Sequence, residues 1–251
     1  SPRGSAFTLG GALASAATPM MLIDCQGQES FVTIRGVEFI GAGNTGSGFK
    51  VYNCGNRVTL EQLRFTSFTS SGSYGLITDQ IIGLSLIGVH ADGGDTGWLN
   101  LGTSSIGEGV VIGSKFSSNA VRNVHLSTGS TLLTFIGSTI YGDASVAGVE
   151  LHSGAYGIGF YQTNFESASP AILIASGHAA SEITVENSVF NPSGAVGGDQ
   201  YGIAIHGELV NSRIQHNSFG AQTQAGRNVV GIKIATSTNN TIGPNRFTNS
   251  G

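Results

Sequence analysis

The stretches VTIRGVEF (Val32–Phe39), VTLEQLRF (Val58–Phe65) and ITVENSVF (Ile183–Phe190) share one pattern: an alternating run, a break, and a shorter run closed by phenylalanine. Six further segments align with them: LSLIGVHA, GVVIGSKF, LTFIGSTI, IGFYQTNF, SRIQHNSF and NTIGPNRF. The nine segments close at Phe39, Phe65, Ala91, Phe116, Ile140, Phe165, Phe190, Phe219 and Phe247, recurring every 24 to 29 residues and averaging 26. Self-similarity at this period marks a repeat architecture. Five positions earlier every residue is apolar, from Ile34 through Phe135 to Ile242, so two columns face inward. Three positions before each closing residue stand Gly36, Gln62, Gly88, Gly113, Gly137, Gln162, Asn187, His216 and Pro244, most of them residues that suit a bend or a left-handed backbone.

A third strand recurs as apolar pairs spaced by two, including Phe49/Val51, Leu99/Leu101, Val124/Leu126, Val149/Leu151 and Ile203/Ile205. Period-2 alternation turns these pairs inward and the residue between them outward. The chain is therefore expected to be all-β, a single right-handed parallel β-helix of about nine turns with three strands each. Leucine-rich repeats and propellers lack support, because neither the LxxLxLxxN signature nor four strands per 40-residue blade is present. Residues 1–30 read as an N-terminal capping or covering segment with the first turn, and 31–251 as one β-helix domain. The missing initial Met suggests a fragment or processed chain, and Gly10-Gly11 spoils any apolar core for a signal peptide.

Composition agrees with this reading. The 251 residues include 39 Gly, only 10% are charged, and the net charge is −4, which excludes a disordered tail and long amphipathic helices. No Lys/Arg cluster exists to meet a phosphate backbone, so nucleic acid is not an expected partner. No apolar run is long enough for a transmembrane helix. Cys25 and Cys54 are too few for a disulfide scaffold; buried thiols are the plain expectation, with pairing left open.

The endings NSVF, NSF and NRF (Asn187–Phe190, Asn217–Phe219, Asn245–Phe247) resemble the recurring motif of pectate-lyase-like parallel β-helices, a resemblance spanning residues 32–247. Low charge and Gly/Ser/Thr/Asn-rich loops are most similar to bacteriophage tailspikes. That likeness implies a homotrimer on the virion tail or outside the cell that binds, and often hydrolyses, bacterial surface polysaccharide. The alternatives are a non-cleaving glycan-binding shaft or a polysaccharide lyase. Lyases of this superfamily use an acidic calcium cluster and a basic residue on the third-strand face, where only the distant Lys50 and Lys233 stand.

Outward residues of one column stack turn upon turn, so columns read as surfaces. The third-strand column runs Lys50, Ile77, Asn100, His125, Glu150, Leu173, Ala204, Lys233. Adjacent turns about 4.8 Å apart provide the spacing for a glycosidase carboxylate pair. Glu150 is the expected acid, beside His125, with Asp95 or Asp143 as its partner. Trp98, the only tryptophan, would stack on a sugar ring and Asn100 would orient hydroxyls, with Asp92, Tyr141 and Glu166 on adjoining loops. The ADGGDTG loop lacks an EF-hand or nonapeptide calcium pattern. His152, His178 and His206 show no metal-ligand spacing with cysteine and read as ordinary histidines, so no metal and no cofactor is expected. A second outward column carries Ile87, Ile112, Ile136 and Tyr161, an apolar stripe expected to join subunits. Hydroxyls in the neighbouring column, among them Thr33, Thr59, Ser85, Thr134, Thr184 and Thr241, read as a stabilising ladder.

Overall fold

A computed structural model describes residues 5–8, 18–27, 31–41, 46–101, 108–142, 144–166, 170–192, 199–222 and 229–250. Among them there are strands and no helix, and every strand pairing is parallel. Each turn of this right-handed parallel β-helix contributes a first-wall strand such as Thr184–Glu186, a bend, a second-wall strand such as Val189–Asn191, a loop, and a third-wall strand such as Ala147–Leu151.

The second wall stacks ten strands. Its register pairs Phe39 with Phe65, Phe116 with Ile140, Phe165 with Phe190 and Phe219 with Phe247, so the closing residues form one ladder. Within the expected covering segment of residues 1–30, Ser5–Thr8 adds one rung by pairing with Val37–Ile40 and Pro19–Asp24 pairs with the next third-wall strand, while residues 1–4, 9–17 and 28–30 lie outside the described residues. Ring stacking is close, with centroids 4.6 Å apart for Phe165/Phe190 and 4.7 Å for Phe190/Phe219. These rings are removed from water in a single continuous core.

The bends explain the mixed column before them. Gly36, Gln62, Gly88, Gly113, Gly137, Gln162, Asn187 and His216 all take left-handed backbone, with φ between +51° and +68°. On the last turn Gly243 (φ +109°) does this instead of Pro244, because the proline ring fixes φ near −65°. Just past each bend a buried polar ladder climbs the core: Ser114 Oγ accepts from Val89 N (3.1 Å), Ser188 Oγ from Thr163 N (3.1 Å), and Asn217 Oδ1 from Ser188 N (2.9 Å). These bonds satisfy amides that the corner takes out of the sheet. Cys25 and Cys54, 29 positions apart, are joined in a disulfide, which resolves the pairing left open by sequence. It links two successive turns just past the paired Asp24 and Tyr52.

Candidate functional site

The outward column of the third wall runs Lys50, Ile77, Leu99, His125, Glu150, Leu173, Ala204, Lys233. It differs from the expected column at one rung, where Leu99 stands in place of Asn100. Trp98 and Asn100 therefore turn inward, and both are fully buried. The segment WLNL alternates plausibly either way. Placing the indole inside wins because it fills the core against Phe116 (5.8 Å) and Phe135 (6.1 Å). The polar atoms brought in with it are matched. Trp98 Nε1 donates to Thr78 Oγ1 (2.9 Å), Thr78 donates to Asn100 Oδ1 (3.0 Å), and Asn100 Nδ2 donates to Ser130 Oγ (2.6 Å). Trp98 is thus a core residue and no sugar platform, and Asn100 faces no ligand.

Glu150 and His125 do meet, on adjacent turns. Arg122 Nε donates to Glu150 Oε2, His125 Nε2 lies 3.9 Å from the same oxygen, and His152 Nε2 lies 3.4 Å from Oε1. His125 Nε2 and His152 Nε2 stand 3.2 Å apart. The His152 ring stacks on His178 with centroids 4.3 Å apart, and His178 Nδ1 is 2.9 Å from Ser153 Oγ. Burial alone would raise the Glu150 carboxyl, but the hydrogen bond and charge of Arg122, with His125 and His152, outweigh it and hold the group below its ordinary value. An acid that must keep its proton needs the opposite shift, so this setting suits a fixed carboxylate better than the expected proton donor. Burial, then Arg122 and His152, depress His125 to about 4 against the opposing pull of Glu150. Burial likewise lowers His152. Histidines expected to be ordinary surface groups are therefore part of a cluster. Their separations of 27 and 26 residues, one full turn each, are the sequence signal that identifies it.

Of the other expected carboxylates, the described Asp95, Asp92 and Glu166 do not join this cluster. Asp95 Oδ2 accepts from Gly72 N (3.1 Å) and Asp92 Oδ1 from Ser117 Oγ (2.9 Å). Asp92, Tyr141 and Glu166 instead share an outward second-wall row through Ser117. Asp143 lies outside the described residues.

A feature the sequence did not disclose runs along the first wall. Leu132, Gly157, Glu182, Asn211 and Asn239 occupy one corner column, all left-handed, and the backbone there folds into a concave face. It forms a groove of about 520 Å³ between this column and the strand residues Thr134, Gly159, Thr184, Arg213 and Thr241. A second groove of about 690 Å³, lined by Arg57, Ser85 and Glu108, shares Thr134 with it. Gly159 interrupts the hydroxyl ladder. A Cβ there would stand 2.6 Å from Tyr161 Cε2, so the missing side chain is what lets the Tyr161 ring lie across the groove. At the rim, exposed Tyr156 hydrogen-bonds Glu182. The column Ile87–Ile112–Ile136–Tyr161 is in register as expected, with Ile112 41% and Ile136 37% exposed, but the Tyr161 ring turns from the stripe to the groove.

The fold and these surfaces define a parallel β-solenoid with polar lateral grooves. A protein from Geobacillus virus E2, ORF18, is similar over 94% of this chain and 52% of its own, at 14% identity and a TM-score of 0.53. The Dettilon tailspike protein (gp208) aligns over 98% and 60% of the two chains at 12% identity and a TM-score of 0.44. The catalytic domain of a GH87 alpha-1,3-glucanase in complex with tetrasaccharides aligns over 98% and 61%, at 12% identity and a TM-score of 0.42. The chain spans about half the length of the viral structure it matches. No protein-family model matches the chain. No curated protein matches it either. Among the described residues no helix is long and apolar enough to cross a membrane.

Proposed function

We propose that this chain is the glycan-binding body of a tailspike-like protein of a virion tail or extracellular assembly, and that it takes bacterial surface polysaccharide in the first-wall groove. One observation carries the reading: the Tyr161 ring lies against Gly159 in a groove that Glu182, Asn211, Arg213 and Asn239 line on the following rungs. A pyranose offers an apolar C–H face to an aromatic ring and hydroxyls to carboxylate, amide and guanidinium groups, which is the mixture present here. A trough that continues past Thr134 suits a chain of sugars better than a single small molecule. The similarity to the viral solenoid supports the fold on which the reading rests.

Among the described residues, the positions of the acids favour binding over cleavage. Glu150, Asp95 and Asp92 are engaged by Arg122, Gly72 and Ser117. Asp92 and Glu166 stand three rungs apart, about 14 Å at 4.8 Å per rung, beyond the roughly 6.5–9.5 Å of an inverting pair. Ile112 and Ile136 remain the proposed contact between copies. The test is incubation with a panel of capsular and O-antigen polysaccharides, followed by affinity measurement and product sizing. Retention of one polysaccharide at unchanged length is expected. Shortened products would overturn the non-cleaving reading, and no retention of any member would overturn the glycan reading.

A further inference from the structure

We propose that His125 Nε2, His152 Nε2 and Glu150 Oε1 together bind one divalent transition-metal ion of the Zn²⁺ class on the outer face of the third wall. The spacing carries the argument. Zinc bonds of about 2.0–2.2 Å at tetrahedral angles place two ligand atoms about 3.3 Å apart. The two ligand separations here are 3.2 Å between the imidazole nitrogens and 3.4 Å from His152 Nε2 to Glu150 Oε1. His125, Glu150 and His152 each offer a ligand atom within 4.8 Å of the others, and rotation of the His125 ring toward Glu150 Oε1 would close the third edge.

The donor set selects the ion. Two imidazoles and one carboxylate suit Zn²⁺, Co²⁺ or Ni²⁺, whereas Ca²⁺ and Mg²⁺ require six or more oxygens. The surrounding groups hold the ligands in place. Arg122 takes Glu150 Oε2 and leaves Oε1 toward His152, while His178 stacks on the His152 ring and is itself tied to Ser153. The ligand side chains are 17%, 6% and 23% exposed, in the order His125, Glu150, His152, so an ion can enter from solvent and a water can complete the fourth position. His125 belongs to one turn and the other two ligands to the next, so the ion would clamp adjacent rungs. This site lies apart from the glycan groove, and neither reading depends on the other.

The test is titration of the EDTA-treated full chain with Zn²⁺ by calorimetry, and with Co²⁺ by visible absorption. One ion per chain is expected, with the intense bands of four-coordinate Co²⁺. His125→Ala and His152→Ala should each weaken Zn²⁺ by at least about 100-fold, whereas His206→Ala should leave it unchanged. Should an alanine variant fold poorly, His152→Gln keeps a polar side chain and must still lose the ion. Absence of stoichiometric uptake, or uptake undiminished in both alanine variants, would overturn the site and leave the 3.2 Å contact as an N–H···N hydrogen bond.

Discussion

Two aromatic ladders rise through this molecule, one inside and one outside. Phe165, Phe190 and Phe219 stack at 4.6 and 4.7 Å in the core, whereas outside the third wall His125 meets His152 with rings tilted at 4.5 Å and His152 stacks on His178 at 4.3 Å. Facing inward, the rings lose contact with water and become a stability element. Facing outward beside a carboxylate, ring nitrogens converge and become ligands. The repeat thus supplies a scaffold that is indifferent to function, and the side chain's direction decides what each column does.

Breaking the inner ladder should have the largest effect. Phe165→Ala removes a fully buried ring and is expected to cost about 3–5 kcal/mol by urea denaturation, with zinc uptake retained. Opening the disulfide with Cys54→Ser should cost about 3–4 kcal/mol for a loop of 29 positions, read in the same way.

The outer ladder should respond to pH instead. In metal-free buffer His125 titrates near 4 in the fold and near 6.5 when unfolded. Between these values the unfolded chain binds a proton that the folded chain refuses, so stability falls as pH falls, by up to about 3 kcal/mol. The lowered Glu150 carboxyl acts in the same direction, its stabilisation being lost as pH falls through its folded value. His125→Gln should flatten this acid limb in urea midpoints taken at pH 7 and pH 4.5, and an unchanged limb would detach His125 from it. Ile112→Lys is expected to leave stability near wild type while converting oligomers to monomers in light scattering. An unchanged mass would remove the stripe from assembly.

The inner ladder was legible in the sequence because closing residues such as Phe65, Phe165 and Phe219 hold one position in every repeat. The left-handed bends were legible for the same reason, down to Gln62 and His216. Reading failed at Trp98 and Asn100, where both phases of the alternation offer apolar residues and only packing against Phe116 and Phe135 decides. The histidine cluster was hard to read because His125 sits mid-strand, His152 follows a strand end and His178 lies in a turn, so only their near-repeat separations, and no shared motif position, link them. The groove was hidden too. Its shape comes from the left-handed corner at Leu132, Gly157, Glu182, Asn211 and Asn239, which hold no single residue type.

Tyr161 is where two outer surfaces meet, since a residue of the apolar stripe lends its ring to the groove. The most direct measurement compares wild type, Tyr161→Ala and Gly159→Ala for binding to immobilised bacterial surface polysaccharide, with thermal melting as a control on folding. The predicted result is roughly tenfold weaker binding in both variants, equivalent to about 1.4 kcal/mol, with melting close to wild type because the Cβ at 159 meets only the movable end of the Tyr161 ring. Wild-type affinity in both variants would contradict the account and move the glycan to another face.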